Sequence, residues 1–221
     1  MTSSESAGKI RRIILRLVLT GMALGIWFCT QSLISQRAAP ASGIGDALHT
    51  LTAGLNSYFY HSPAAANALL IVSSALIDGL ALFLLARWLF GPSVRPFLGL
   101  VLLLGMRQVM QAICALPPPP NMIWRYPGFP SLLVTYNVGN DFFFSGHTAI
   151  AVFGAMELAR FGKRWLTTAA VGIVFFEIAA VLILRAHYTM DVFTGLLAAL
   201  CVAQLCGKVS PRLDAWLSPA R

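Results

Sequence analysis

Charge is what this chain has least of. Only 11% of its 221 residues are Asp, Glu, Lys or Arg, while 57% are hydrophobic, and mean hydropathy is +0.74. A soluble domain carries about a quarter charged residues, so the composition predicts a multi-span membrane protein. Acidic residues are scarcer than basic ones, 8 against 16, for a formal net charge of +8. A nucleic-acid binder would gather that excess on one face. Here the basic residues stand singly between apolar runs, the pattern of topology signals, and nucleic acid is excluded as a partner. Cysteine is also sparse. Cys29, Cys114, Cys201 and Cys206 lie in or at the ends of apolar runs without metal-ligand spacing. They read as small apolar fillers, and neither a metal nor a cofactor is expected. Cys201 and Cys206 share one helix at a separation unsuited to a disulfide. A cleavable leader is not expected either, because no cleavage site follows the apolar stretch that begins after Lys9, Arg11 and Arg12.

The apolar runs are long and regularly spaced. Stretches 10–34, 64–89, 97–116, 144–161, 165–184 and 187–206 each approach the roughly 20 residues that cross a bilayer. The expected fold is all-α, a polytopic bundle of six transmembrane helices forming one domain over 1–221. Residues 1–9 are expected to be a disordered cytoplasmic tail. Residues 47–60, with Tyr58, Phe59 and Tyr60, fit a short helix at the membrane interface. Pro117 to Pro120 end the third span. With the N-terminus inside, basic residues concentrate in the cytoplasmic segments (Lys9, Arg11, Arg12, Lys163, Arg164, Lys208). The outer side receives only Arg37, Arg125 and Arg185, which is a positive-inside signal. A bacterial inner membrane with both termini cytoplasmic is the expected location.

Histidine is rare as well, at 4 residues, and two of the four fall in dense polar motifs at the outer ends of spans. One is Asp141-Phe142-Phe143-Phe144-Ser145-Gly146-His147-Thr148; the other is Arg185-Ala186-His187-Tyr188-Thr189-Met190-Asp191. His187 and Asp191 are one helical turn apart, so the carboxylate can hold one ring proton and leave the other nitrogen free. His147 follows Ser145-Gly146 at a helix start, where free backbone N–H groups favour an anion. The topology puts both motifs on one face. Two histidines beside an anion cradle read as phosphoryl transfer at a membrane surface.

These residues resemble the lipid phosphatase and phosphotransferase (PAP2) superfamily. The likeness is to its sphingomyelin synthase-like branch, with the phosphatidylcholine:diacylglycerol cholinephosphotransferases. That branch carries Ser-Gly-His-Thr at the head of one span and His-Tyr-Thr-hydrophobic-Asp at the head of a later one. It also carries an Arg within a span before a Leu-Pro-x-Pro stretch, here Arg107 before Leu116-Pro117-Pro118-Pro119. The likeness covers about residues 97–207, the expected catalytic core. The chain departs from the wider phosphatases. Trp88 stands at the Lys position of Lys-x6-Arg-Pro before Arg95-Pro96, and Val181 stands where an Arg precedes the second histidine.

The resemblance implies that His187 is the nucleophile, forming a phosphohistidine, with Asp191 orienting it and His147 serving as acid and base. Arg107, Ser145, Gly146 and Arg185 are the candidate phosphate-binding residues. Arg107 costs about 2.5–3.5 kcal/mol inside a span. Its partner is a substrate phosphate, Asp78 or Glu177, and snorkelling to headgroups is the other role open to Arg185. Asp141, Trp124, Tyr126 and Tyr136 suit a quaternary ammonium headgroup, although an interfacial aromatic belt explains the three aromatics with no ligand. Asp78, Glu157 and Glu177 are intramembrane acids that the motifs leave unassigned. The implied enzyme moves phosphocholine from phosphatidylcholine to diacylglycerol or ceramide. The alternatives are a lipid phosphate phosphatase and a non-catalytic lipid-binding or transport protein.

Overall fold

Asp46 accepts hydrogen bonds from Leu48 N and His49 N, which caps a short helix. The computed structural model describes residues 43–136 and 142–217, with isolated positions between 14 and 32. It divides into two compact units, Met1–Gly45 and Asp46–Arg221. The expected tail 1–9 and almost all of the expected first span fall outside the described residues, as does Asp141.

Seven helices follow one another in the second unit. They are α1 (Ala47–Leu51), α2 (Ala53–His61), α3 (Pro63–Phe90), α4 (Arg95–Ile113), α5 (Gly146–Ala159), α6 (Arg164–Ile183) and α7 (Thr189–Leu217). The architecture among the described residues is wholly helical, as expected. Thr52 breaks the expected interfacial helix into α1 and α2. Pro63 sits at the first position of α3, where its missing N–H has no helical role. Gly162, at φ +69°, turns the chain between α5 and α6.

Among the described residues, four helices, α3, α4, α6 and α7, are long and apolar enough to cross a membrane. Many of their large apolar residues face outward, such as Phe90, Phe175 and Trp216. α5, placed in the expected fourth span, has only 14 residues. It is instead the central helix, packed by α3, α4, α6 and α7 and buried continuously from His147 to Gly154. Leu84, Leu100, Leu103, Phe153 and Val202 form the main core where α3, α4, α5 and α7 meet.

The end of the bundle away from the histidines closes with charge. Arg95 Nε meets Glu157 Oε1 at 2.6 Å, both side chains nearly inaccessible, which supplies the partner that Glu157 lacked in the sequence. Asp214 accepts from Ser93 Oγ and Val94 N at 2.7 and 2.6 Å. That contact carries α7 beyond its expected end at Cys206, past Lys208 and Arg212 and through Pro211.

Candidate active site

Ser145 is the N-cap of α5, its hydroxyl accepting from Thr148 N and Thr148 Oγ1. The cap aims the first turn of α5, and so His147, across the bundle. α7 arrives beside it because Gly195 has no side chain; a Cβ there would lie 2.6 Å from the Ser145 carbonyl. Ser145 N in turn donates to Asp191 O at 3.1 Å. The two histidine motifs, far apart in sequence, are thus joined through their backbones.

His147 and His187 line one cavity of about 50 Å³, with Arg107, Gly146, Trp124 and Ala186 among its walls. Arg107 Nε donates to Phe144 O at 3.0 Å, and a Cβ on Gly146 would crowd that nitrogen at 3.1 Å. The glycine therefore lets the guanidinium lie against the head of α5. The Trp124 ring meets His147 edge to face at 5.2 Å. Among the described residues, His147 Nε2, His187 Nδ1 and Asp191 Oδ1 are buried without a hydrogen-bond partner. Buried polar atoms are ordinarily paired, so three orphans in one place mark a site poised for a ligand or for chemistry.

Asp191 stands 3.7 Å from His187 Nδ1, too far for a hydrogen bond. Its Oδ2 accepts from Tyr188 N at 2.8 Å. Such a contact commonly tightens only when substrate binds. The Tyr188 hydroxyl donates to Pro117 O at 3.1 Å.

Other expected site residues are placed differently. Ser145 is wholly buried in its capping role and is not among the cavity walls. Arg185 lies outside the cavity as well, its guanidinium donating to Pro120 O at 2.9 Å and His49 O at 3.2 Å. Trp124, Tyr136 and Tyr126 form a contiguous aromatic cluster. Trp124 Nε1 donates to Thr135 O, and Tyr126 is largely exposed.

A polar brace around the second motif has no signature in the sequence. Asp46 accepts from Thr189 N and Thr189 Oγ1, both at 2.6 Å. His49 Nε2 donates to His187 O at 2.9 Å, and its ring lies beside Tyr188. Asn56 Nδ2 donates to Ile183 O. Residues of α1 and α2 and their cap thereby clamp the turn that carries His187. Burial would raise the Asp46 carboxyl, but hydrogen bonds from Thr189 and His49, with the His49 ring, outweigh it and hold the group below its usual value.

The family model described as AtPDCT1/2 matches residues 45–208. The chain belongs to the AtPDCT1/2 family. That match begins at the brace and ends within α7, so it takes in every residue of the cavity. A curated relative, the phosphatidylcholine:diacylglycerol cholinephosphotransferase 1 of Arabidopsis thaliana, is 23% identical over 158 residues, 72% of this chain. The aligned part is 51% of that protein, so the chain spans about half the length of its curated relative. The crystal structure of Aquifex aeolicus LpxE superposes with a TM-score of 0.51 at 18% identity, over 66% of this chain and 87% of that one. It shows that this AtPDCT1/2 family member shares its helical fold.

Proposed function

We propose that the protein is a membrane phospholipid headgroup transferase, moving phosphocholine from phosphatidylcholine to diacylglycerol or ceramide. The observation that carries this reading is the cavity that His147 and His187 share with Arg107, with Asp191 behind His187. His187 attacks the phosphorus, forming an N–P bond as the P–O bond to diacylglycerol breaks. The electron pair stays on that oxygen, which takes a proton from His147. An acceptor hydroxyl then bonds to phosphorus, gives its proton to His147 and releases His187. Arg107 and the N-terminus of α5 offset charge on the equatorial oxygens. Relatedness to a cholinephosphotransferase supports the choice of headgroup. The aromatic cluster of Trp124, Tyr126 and Tyr136 is chemically suited to choline. The concentration of basic residues at the opposite end of the bundle, among them Arg95, Arg160, Lys163, Arg164 and Lys208, supports an outer-face position, with a bacterial inner membrane as the setting.

The test uses purified protein in liposomes with headgroup-labelled phosphatidylcholine and an acceptor of distinguishable acyl chain, with His187→Ala in parallel. Label on the added lipid, absent in the variant, is the expected result. Water-soluble phosphocholine alone would make the protein a hydrolase. No turnover of any phospholipid by either protein would leave a lipid-binding or transport role.

A further inference from the structure

Asp78 lies deep within α3, yet its carboxylate meets the loop that follows the proline run. It accepts from Ser131 Oγ and Leu132 N at 2.8 Å and from Leu133 N at 3.0 Å. Ser131 Oγ accepts from Val134 N in turn, and Tyr136 is hydrogen-bonded to Ser74 one turn nearer the start of α3. Asp78 is about 22 Å along the axis from the start of α3, so residues 131–133 reach that depth along the flank of the bundle, where segment 131–136 stays partly exposed. There Leu133 and Val134 pack with Ile77, Leu80 and Ile150, and Leu133, Val134 and Thr135 form one wall of the histidine cavity. A carboxylate inside a span is unfavourable without partners, and this one is satisfied by the backbone of a descending loop.

We propose that segment 131–136 is a water-excluding wall latched on Asp78, and that the latch sets the balance between lipid and water as acceptor. This rests on the transferase reading above. Once the N–P bond on His187 has formed, an acceptor oxygen must displace it. A lipid hydroxyl gives the transferred lipid, and water gives phosphocholine plus a proton. The cavity of about 50 Å³ admits only a few waters, and the apolar side chains of Leu133 and Val134 keep more from entering. Removing the latch frees three donors and lets the wall part.

The experiment compares Asp78→Ala, Ser131→Ala and Asp78→Asn with the wild type in the same liposomes, reading both products. It also follows labelling of Val134→Cys by a water-soluble maleimide, in protein carrying Cys29→Ser, Cys114→Ser and Cys201→Ser, with and without Asp78→Ala. The ratio of phosphocholine to transferred lipid is expected to rise severalfold in Asp78→Ala. Ser131→Ala should raise it less, and Asp78→Asn, which keeps an acceptor, least of all. Labelling of the introduced thiol is expected to accelerate in parallel. Both products falling together at a constant ratio, with labelling unchanged, would overturn the proposal. If the wild type makes neither product, the transferase reading fails; the labelling then decides alone whether the wall exists.

Discussion

The two ends of this bundle treat their polar groups in opposite ways. At one end Arg95 and Glu157 neutralise each other at 2.6 Å, and Asp214 closes the start of α4. At the other, His147, His187 and Asp191 each keep a buried atom without a partner among the described residues. Backbone contacts and a brace from α1 and α2 hold all three in place. One end satisfies its charges to hold helices together, and the other leaves its groups incomplete, which on the proposed reading a ligand completes.

If that contrast is right, substitutions at the two ends should separate activity from stability. His147→Ala should lower turnover by about 10²–10⁴-fold, with thermal unfolding in detergent nearly unchanged. Glu157→Gln should do the reverse, because breaking a buried pair costs about 3–5 kcal/mol. Its melting temperature should fall sharply, whereas replacing both Arg95 and Glu157 by apolar residues should recover much of the loss. A Glu157→Gln protein that melts like the wild type would refute the closed end. The smallest effect belongs to the brace. Asp46→Asn weakens a cap and two bonds to Thr189, about 0.5–2 kcal/mol. Asp46 titrates below its ordinary 3.8, so its stabilisation is complete above that value and disappears as pH falls through the lowered one. The difference in melting temperature between wild type and Asp46→Asn should therefore shrink on acidification below 3.8.

Hydropathy and motif chemistry made part of this legible in the sequence. The boundaries of α3 and α6 fall close to the expected spans, because long apolar runs have few other solutions. His147, His187 and Arg107 line one cavity, and that meeting was legible because the expected phosphoryl transfer would need those residue types together. The brace was not. His49 Nε2 bonds a main-chain carbonyl and Asp46 a main-chain amide, and such partners leave no side-chain pattern to read. Asp78 attracted notice as an acid in a span, but its acceptor role toward Leu132 N and Leu133 N was hidden for the same reason. Arg185 looked like a phosphate ligand from its neighbourhood to His187. Its left-handed backbone, φ 53°, turns the side chain toward Pro120 and His49. The expected span 144–161 overran α5 by two residues at each end, because Phe144 and Phe161 extend the hydropathy signal into non-helical segments.

The shortness of α5 carries one more consequence. Ile150 packs against Ile77, well down α3, so His147 lies about 15 Å below the start of that helix. On the proposed reading, the reacting imidazole sits well below the level at which α3 starts. A soluble phosphate ester would have to leave water to reach it. A lipid is already held at that depth by its own tails, so depth alone would filter for amphiphiles.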